Sequence, residues 1–122
     1  MAERPIRTFT LFKSQTIKAG TSGVSDPIDL RDFPDDTKFS VYYNIEKSGT
    51  SGTCGSTSIT YQTGNYYADT YITPTGGTCG TIGDSGGSDL VSINPPLAPF
   101  MKVSVAVGTS GTAIATVLLH AK

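Results

Sequence analysis

The stretch of this chain that most suggests chemistry is GDSGG, residues 83–87, which places Ser85 between an aspartate and two glycines. A serine hydroxyl becomes a useful nucleophile only when a base accepts its proton and a third group holds that base in the right tautomer. The chain has one histidine, His120, which follows Ser85 by 35 residues. The first question is therefore whether Ser85 and His120 form such a site.

The context of both residues argues against a hydrolase. GDSGG surrounds the nucleophile of trypsin-like serine proteases, but there the histidine and the aspartate precede the serine in the chain. Here the histidine comes last, in TAIATVLLHAK (112–122), whose alternating apolar residues predict a final strand. That protease fold also needs two barrels, whereas this chain has the length of one domain. The sequence therefore predicts a structural turn at 83–87, a protein that is not an enzyme, and no cofactor.

The two cysteines, Cys54 and Cys79, occur in similar settings, SGTCGST and GGTCGTI. Two thiols and one histidine are too few for a structural zinc site, which takes four ligands, so no metal site is predicted. The thiols are either free in two loops or joined in a disulfide. Such a bridge would close a loop of about 25 residues, contribute about 3 kcal/mol, and form only in an oxidising medium. The sequence leaves both alternatives open.

Two other groups of side chains are candidates for ligand binding. Aspartates crowd between residues 26 and 36, but Arg31 and Lys38 neutralise them, so we interpret them as solvated turn residues rather than a calcium site. Tyrosine rings can stack on the faces of sugars. The tyrosines expected to point outward are Tyr42, Tyr66, Tyr67 and Tyr71. We interpret them as packing or protein-contact residues, with carbohydrate contact as the alternative.

Composition narrows the class of protein. The 122 residues suffice for one domain, and they include 18 Thr, 13 Ser and 14 Gly but only 16% charged residues. The net charge is −1 without a cluster of Lys or Arg, so no nucleic-acid partner is predicted. The longest apolar stretch is far below the ~20 residues that span a bilayer, so no membrane partner is predicted either. The start, MAERPIRTF, lacks the apolar region of a signal peptide, which predicts a protein made in the cytoplasm.

Period-two alternation predicts seven or eight short strands. The clearest is 38–46, with Phe39, Val41, Tyr43 and Ile45 on one face; in 57–63, Ile59 and Tyr61 are expected to point inward. The other expected strands are 6–13 (Arg7, Phe9, Leu11 alternating with Thr8, Thr10, Phe12), 24–33, 64–74 around Tyr71, 89–93, 100–107 (Met101, Val103, Val105, Val107) and 113–121 (Ile114, Thr116, Leu118). The last two are expected to pair as a hairpin. Long glycine-rich loops are expected at 47–56 and 75–88.

These elements predict an all-β protein, a single antiparallel β-sandwich that is jelly-roll-like or immunoglobulin-like. The sandwich is expected to span residues 9–122 and to follow an N-terminal arm, residues 1–8. Met101, Val103 and Val105 are expected in its core, beside Phe39, Val41 and Ile45.

The opening TFTLFKSQT (8–16), then SQTIKAGTSGVSDPIDLRDF (14–33) and NPPLAPFMKVSVAV (94–107) give the chain a recognisable layout. In this order, the chain resembles small structural proteins of tailed bacteriophages and prophages, over most of its length but without a catalytic motif. The resemblance implies a virion component, either a capsid decoration protein that binds the major capsid protein or a neck, tail or fibre-associated protein. We also expect a homo-oligomer, with a trimer as the leading expectation for a capsid decoration protein. The arm 1–8 and one glycine loop are expected to contact another subunit, and a carbohydrate-binding module is the alternative function.

Overall fold

The computed structural model describes residues 5–18, 20–31, 33–34, 36–47, 56–68, 70–83, 86–95, 98–108 and 111–122. Within these ranges the chain forms nine β-strands. They are β1 Arg7–Lys18, β2 Ser22–Val24, β3 Ile28–Asp29, β4 Phe39–Lys47, β5 Thr57–Gly64, β6 Thr78–Ile82, β7 Gly87–Ile93, β8 Phe100–Val107 and β9 Thr112–Ala121. No helix of the described ranges has the length and hydropathy needed to cross a bilayer.

The strands form two antiparallel sheets that pack face to face. Sheet A has the order β1-β9-β4-β7, and sheet B has the order β2-β8-β5-β6, with β3 also paired to β8. The predicted all-β, antiparallel β-sandwich is therefore confirmed. Of the described residues in the predicted strand 24–33, only Val24, at the end of β2, and Ile28–Asp29, which form β3, lie in strands. Pro27, which lies between them, lacks the N–H that a continuous edge strand would use.

The core lies between the inner faces of the two sheets. From sheet A, Val41, Tyr43 and Ile45 point inward and are at most 2% exposed, as the alternation of β4 predicted. The partners from sheet B are at most 3% exposed: Ile59, Tyr61, Met101, Val103 and Val105. Each such side chain stabilises the fold by about 1.5–3 kcal/mol relative to full exposure.

The predicted hairpin of β8 and β9 is wrong. β8 pairs with β5 and β2 in sheet B, whereas β9 pairs with β1 and β4 in sheet A. The connection between them therefore crosses from one sheet to the other. These two apolar strands each take a central position, where neighbours on both sides satisfy their backbone groups.

The residues of β9 that face the core are also not the ones that the alternation in the sequence singled out. Ile114, Thr116 and Leu118 lie on the outer face of sheet A and are half-buried. The fully buried residues of β9 are Ala113, Ala115, Val117 and Leu119, with Ala121 almost so. Because both faces of this strand are apolar, alternation alone does not decide which one meets the core.

A β-bulge changes the face of β1 partway along the strand. Thr10 pairs with Leu118 and Phe12 with Val117, so one residue of β1 has no counterpart on β9. Phe12 consequently turns into the core and is 2% exposed, although strict alternation placed it opposite Phe9. A second irregularity lies between Phe12 and Gln15, where Ser14 has a positive φ of 48°.

The predicted loop 75–88 is not one loop. It contains β6, which pairs with β5 from Thr57 to Thr60, and it includes the start of β7. The strand predicted around Tyr71 is reduced to a single bridge between Thr63 and Ile72. The other predicted glycine loop, 47–56, lies mostly outside the described residues.

The register of the strands sorts the connections to two ends of the sandwich. The connections β1–β2, β4–β5, β6–β7 and β8–β9, which hold most of the glycines, share one end, named here the glycine end. The connections β3–β4, β5–β6 and β7–β8 share the opposite end with the start of β1 and the end of β9. Phenylalanine and tyrosine rings collect there, so it is named the aromatic end.

The predicted N-terminal arm overlaps β1 by two residues. Arg7 pairs with Ala121 and Thr8 with His120, at the edge of sheet A. Residues 1–4 lie outside the described residues, so a contact of the arm with another subunit stays a prediction.

Candidate functional site

The GDSGG segment connects β6 to β7 at the glycine end. The Gly86 N–H donates to the Gly83 carbonyl over 3.1 Å, which closes a turn. Gly86 has a φ of 83°, and a Cβ at that position would lie 2.5 Å from the carbonyl oxygen of Ile45. Asp84 and Ser85 lie outside the described residues. The backbone conformation at position 86 therefore requires glycine, independently of any role of Ser85.

His120 lies towards the opposite end of the same sheet. It pairs with Ser40 near the start of β4, whereas Gly87 pairs with Ile45 near the end of that strand. Five residues of strand separate these two levels, which corresponds to about 17 Å. The imidazole Nδ1 of His120 is hydrogen bonded to the Thr8 hydroxyl at 2.9 Å. The structure thus places the histidine with β1 rather than with the GDSGG turn.

Replacing Gly86 by alanine is expected to destabilise the protein by at least about 2 kcal/mol, because the left-handed conformation costs about 1–2 kcal/mol and the Ile45 carbonyl must also move. Ser85→Ala, one position earlier, is the control and is expected to leave stability unchanged. Urea unfolding of both variants gives the comparison. Equal stability of Gly86→Ala and wild type would contradict the described turn.

Cys79 lies in β6 as a buried free thiol, 6% exposed, and belongs to the core rather than to a loop. Burial raises the pKa of this thiol to about 11 from its ordinary 9.0. Burial, followed by the charge of Cys79, also raises the pKa of the Tyr61 hydroxyl. For Tyr43, burial is again the largest cause of a raised pKa, followed by Asp89 and Cys79. The thiol of Cys79 is free in this structure, and Cys54 lies outside the described residues. The alternative of a bridge between the two in an oxidising medium stays a prediction.

The raised pKa of Cys79 predicts alkaline instability. The unfolded chain releases the thiol proton near pH 9 and the folded chain only near pH 11, so stability is complete below pH 9 and falls as pH rises towards 11. A shift of this size corresponds to a loss of about 2–3 kcal/mol. Urea unfolding between pH 8 and 11 measures it, and Cys79→Ala should show a shallower decline. The same pH dependence in both proteins would exclude Cys79 as a cause.

Asp29 and Arg31, within the acidic segment 26–36, form an ion pair. Both carboxylate oxygens of Asp29 accept hydrogen bonds from the Arg31 guanidinium, at 2.8 and 3.0 Å, and Oδ1 also accepts the Arg31 backbone N–H at 2.9 Å. These hydrogen bonds lower the pKa of Asp29 to about 2. In the described part of the chain, no three His, Cys, Asp or Glu side chains come together as metal ligands. Asp29 therefore serves to hold Arg31.

The most exposed aromatic side chains lie in the connection between β5 and β6, residues 65–77, named here the aromatic loop. Tyr66, Tyr67 and Ile72 are 69%, 61% and 65% exposed. Large side chains at this exposure mark a surface that has apolar area to offer to a partner. The aromatic loop is thus the leading candidate for a binding site.

The aromatic loop is fixed to sheet B by several contacts. Thr63 and Ile72 exchange two backbone hydrogen bonds of 2.8 and 2.9 Å, and the Tyr71 hydroxyl donates to the Tyr67 carbonyl at 3.0 Å. The ring of Tyr71 packs so closely on Gly64 that a Cβ there would lie 2.9 Å from the ring. The exposed rings therefore stand on an ordered base.

Cations line the base of the aromatic loop. The Lys102 ammonium lies 4.2 Å from the centre of the Tyr71 ring, and the Arg31 guanidinium lies 4.9 Å from the centre of the Phe100 ring. Phe100 in turn packs edge-on against Tyr67, with ring centres 5.9 Å apart. Tyrosine and arginine are the residues most enriched at the energetic centres of protein interfaces. The chemistry of this surface matches a protein-binding site.

A small groove lies at the same end, on the side of sheet A. It encloses about 210 Å³ and is lined by Pro5, Arg7, Phe33, Pro34, Thr37, Ala121 and Lys122. The Arg7 guanidinium lies 4.9 Å from the centre of the Phe33 ring, which also meets Phe9 and Phe39 edge-on. The volume is below the 300–1,000 Å³ typical of small-molecule sites, so it suits a single side chain of a partner.

The structure brings together only part of the predicted tyrosine platform. Tyr66, Tyr67 and Tyr71 share the aromatic loop, whereas Tyr42 lies on the outer face of sheet A and pairs with Leu118 and Leu90. Sequence reasoning did not connect Arg31 and Phe100 to this site. The available signal was the spacing of Asp29 and Arg31, which are close enough in sequence to form a bidentate ion pair. The contact of Arg31 with the Phe100 ring, however, depends on the pairing of β3 with β8.

Comparisons with known proteins add no family. No protein-family model matches the chain, and no curated protein matches its sequence. A proposal of function therefore rests on the surfaces described above and on the layout of the sequence.

Proposed function

We propose that this chain is a non-enzymatic structural protein of a bacteriophage virion, in the first place a capsid decoration protein that binds the major capsid protein. The observation that carries the proposal is the aromatic loop, with three large exposed side chains on an ordered base. The resemblance in sequence layout supplies the virion context. The proposal includes self-association, synthesis in the host cytoplasm, and neither nucleic acid nor membrane as a partner.

The energetics of the aromatic loop favour protein binding. A tyrosine buries about 150–250 Å² when it enters an interface, so Tyr66 and Tyr67 offer a substantial apolar area. Binding costs free energy to order loops at the interface, in addition to about 0.5–1.5 kcal/mol for each side chain that must be ordered. The hydrogen bonds of Thr63, Tyr71 and Ile72 have already ordered the backbone beneath these rings. A larger part of the contact energy therefore remains for affinity.

The charge of the protein suits assembly in many copies. The net charge is −1, so copies that lie side by side on a particle repel one another weakly. At the aromatic end, Arg7, Arg31 and Lys102 are each placed over a ring. These cations add directional contacts without giving the whole molecule a strong charge.

The composition of purified particles tests the proposal. Particles from a lysed host culture, separated on a density gradient, should contain this chain at a fixed ratio to the major capsid protein by quantitative mass spectrometry. A fixed ratio to the portal or tail proteins instead would indicate a protein of the neck, tail or fibre. Finding it only in the soluble fraction would contradict a virion role.

Carbohydrate binding is the second candidate, since the adjacent exposed rings of Tyr66 and Tyr67 also suit a sugar face. Titration of glycans with tyrosine fluorescence as the readout separates the two, because a virion protein of the proposed kind gives no saturable change. Labelling of Ser85 by a fluorophosphonate, absent in Ser85→Ala, would contradict the non-enzymatic part.

A further inference from the structure

The outer strands of the two sheets differ sharply in how well they resist pairing with another chain. An open edge presents unpaired backbone groups, and proteins protect such edges with bulges, prolines, charged side chains (above all lysines) or short strands. β1 has two register irregularities and contains Arg7, Lys13 and Lys18. β2 and β3 have three and two residues, and β6 has five with an irregularity in its pairing. Three of the four edges are therefore protected.

β7 has one of these protections, the charged side chain of Asp89, and lacks the others. It has seven residues, Gly87–Ile93, without proline, lysine or arginine. Its pairing with β4 runs without interruption from Phe39↔Ile93 to Ile45↔Gly87. The strand is therefore regular in its pairing and long enough to serve as a template for another strand.

The register shows which backbone groups of β7 point away from the sheet. Lys38, the residue before β4, exchanges two backbone hydrogen bonds with Lys122. Because hydrogen-bonded pairs alternate along an antiparallel ladder, the even-numbered residues of β4 direct their N–H and C=O groups to β9. The odd-numbered residues of β4 direct theirs to β7. In β7, odd-numbered residues accordingly bond to β4. The N–H and C=O groups directed outward belong to Ser88, Leu90 and Ser92. Among the described residues, the one contact to them is the Asp89 carboxylate, which accepts the Leu90 N–H at 2.8 Å.

We propose that β7 pairs antiparallel with β7 of a second copy of this chain, about a two-fold axis at Leu90. Leu90 is the middle residue of the strand, so this register uses all seven residues and places Ser88 opposite Ser92 of the second copy. A shift that centres the axis on Asp89 would set two carboxylates directly opposite each other, which is destabilising. A shift to Val91 would lose two of the seven residues from the pairing.

The outer face of sheet A supports the same arrangement. Leu118, Tyr42 and Leu90 stand side by side on β9, β4 and β7, which makes an apolar row across the sheet. Leu90, at the open end of this row, is 60% exposed. Pairing about Leu90 joins the rows of two copies into one and covers both leucines. The Asp89 carboxylate must release the Leu90 N–H in this process, so it opposes pairing.

The resulting pair is an eight-stranded sheet A shared by two subunits. β7 runs along the side of the sandwich from the glycine end to the aromatic end. The pairing therefore leaves both aromatic loops accessible. It is independent of the proposed function, and it specifies two copies where the sequence layout suggested three.

Sedimentation velocity over a range of concentrations tests the pairing. The wild type should form a dimer, Leu90→Lys should weaken it at least tenfold, and Asp89→Ala should strengthen it. Val24→Lys, at an exposed residue on β2, is the matched control and should dimerise as the wild type does. A monomer at all concentrations, a trimer, or equal dimerisation of Leu90→Lys and wild type would overturn the proposal.

Cysteine cross-linking in a Cys54→Ser background fixes the register. Across a hydrogen-bonded pair the Cα atoms lie about 5.5 Å apart, within reach of a disulfide. Leu90→Cys should therefore form a covalent dimer on mild oxidation. Ser88→Cys alone should not, whereas Ser88→Cys combined with Ser92→Cys should. Efficient cross-linking of Ser88→Cys alone would show a different register and overturn the two-fold at Leu90.

Discussion

Val103→Asp is expected to abolish folding. Val103 is fully buried in the middle of β8, between β2 and β5, and it faces the inner side of sheet A. A carboxylate at this position loses its water, and an unpaired buried charge costs several kcal/mol. A domain of this size is stable by about 5–15 kcal/mol. The variant also loses the packing of the valine side chain, so the two losses together remove most of that stability. Circular dichroism and thermal melting of the purified variant measure the effect.

Ala106→Asp on the same strand is the control, because Ala106 is exposed on the outer face of sheet B. It is expected to change stability by less than about 1 kcal/mol. Val41→Asp, in sheet A, should behave as Val103→Asp does because Val41 is equally buried. A soluble Val103→Asp protein with the melting temperature of the wild type would show that the face assignment of β8 is wrong.

Leu119→Ala is expected to lower the free energy of unfolding by about 3 kcal/mol, because truncation of a buried leucine removes its transfer energy and leaves a cavity. Leu119 is fully buried in β9, where it pairs with Phe9 and Val41 across the two neighbouring strands. Leu118→Ala is the matched control, since the adjacent leucine is half-buried on the outer face. Its expected loss is below about 1 kcal/mol. Urea unfolding curves of both variants give the two values.

This pair of variants tests the inward face of β9, which the alternation in the sequence did not identify. A larger loss for Leu118→Ala than for Leu119→Ala would reverse the face and shift the register of β9 by one residue. The pairings of β9 with both β1 and β4 would then change as well.

The strands with one apolar and one polar face were predictable from sequence. In β4, Val41, Tyr43 and Ile45 alternate with polar or amphipathic neighbours, and all three are buried. β9 has apolar residues on both faces, so its inward face depends on a register that the neighbouring strands impose. The bulge that turns Phe12 into the core is a tertiary adjustment, which no local pattern encodes.

The candidate site was predictable in part. The sequence indicated that Tyr66 and Tyr67 lie outside, and both are exposed. Their support from Phe100 and Arg31 was not predictable, because the pairings of β3 and β5 with β8 bring these residues together over long distances in sequence. The predicted hairpin of β8 and β9 was wrong for the same reason. Which strands become neighbours depends on how the two sheets pack, and no local pattern shows this.

Binding to particles that lack this chain tests the proposed role of the aromatic loop most directly. Purified wild-type protein, the double variant Tyr66→Ala/Tyr67→Ala and the control Val24→Ala are mixed with particles from a gene-deleted phage, and bound protein is measured after sedimentation. Loss of two interface tyrosines that each contribute about 2 kcal/mol, together about 4 kcal/mol, predicts a Kd about 700-fold higher for the double variant, with Val24→Ala unchanged. Saturable binding of the double variant with the Kd of the wild type would contradict a binding surface at the aromatic loop.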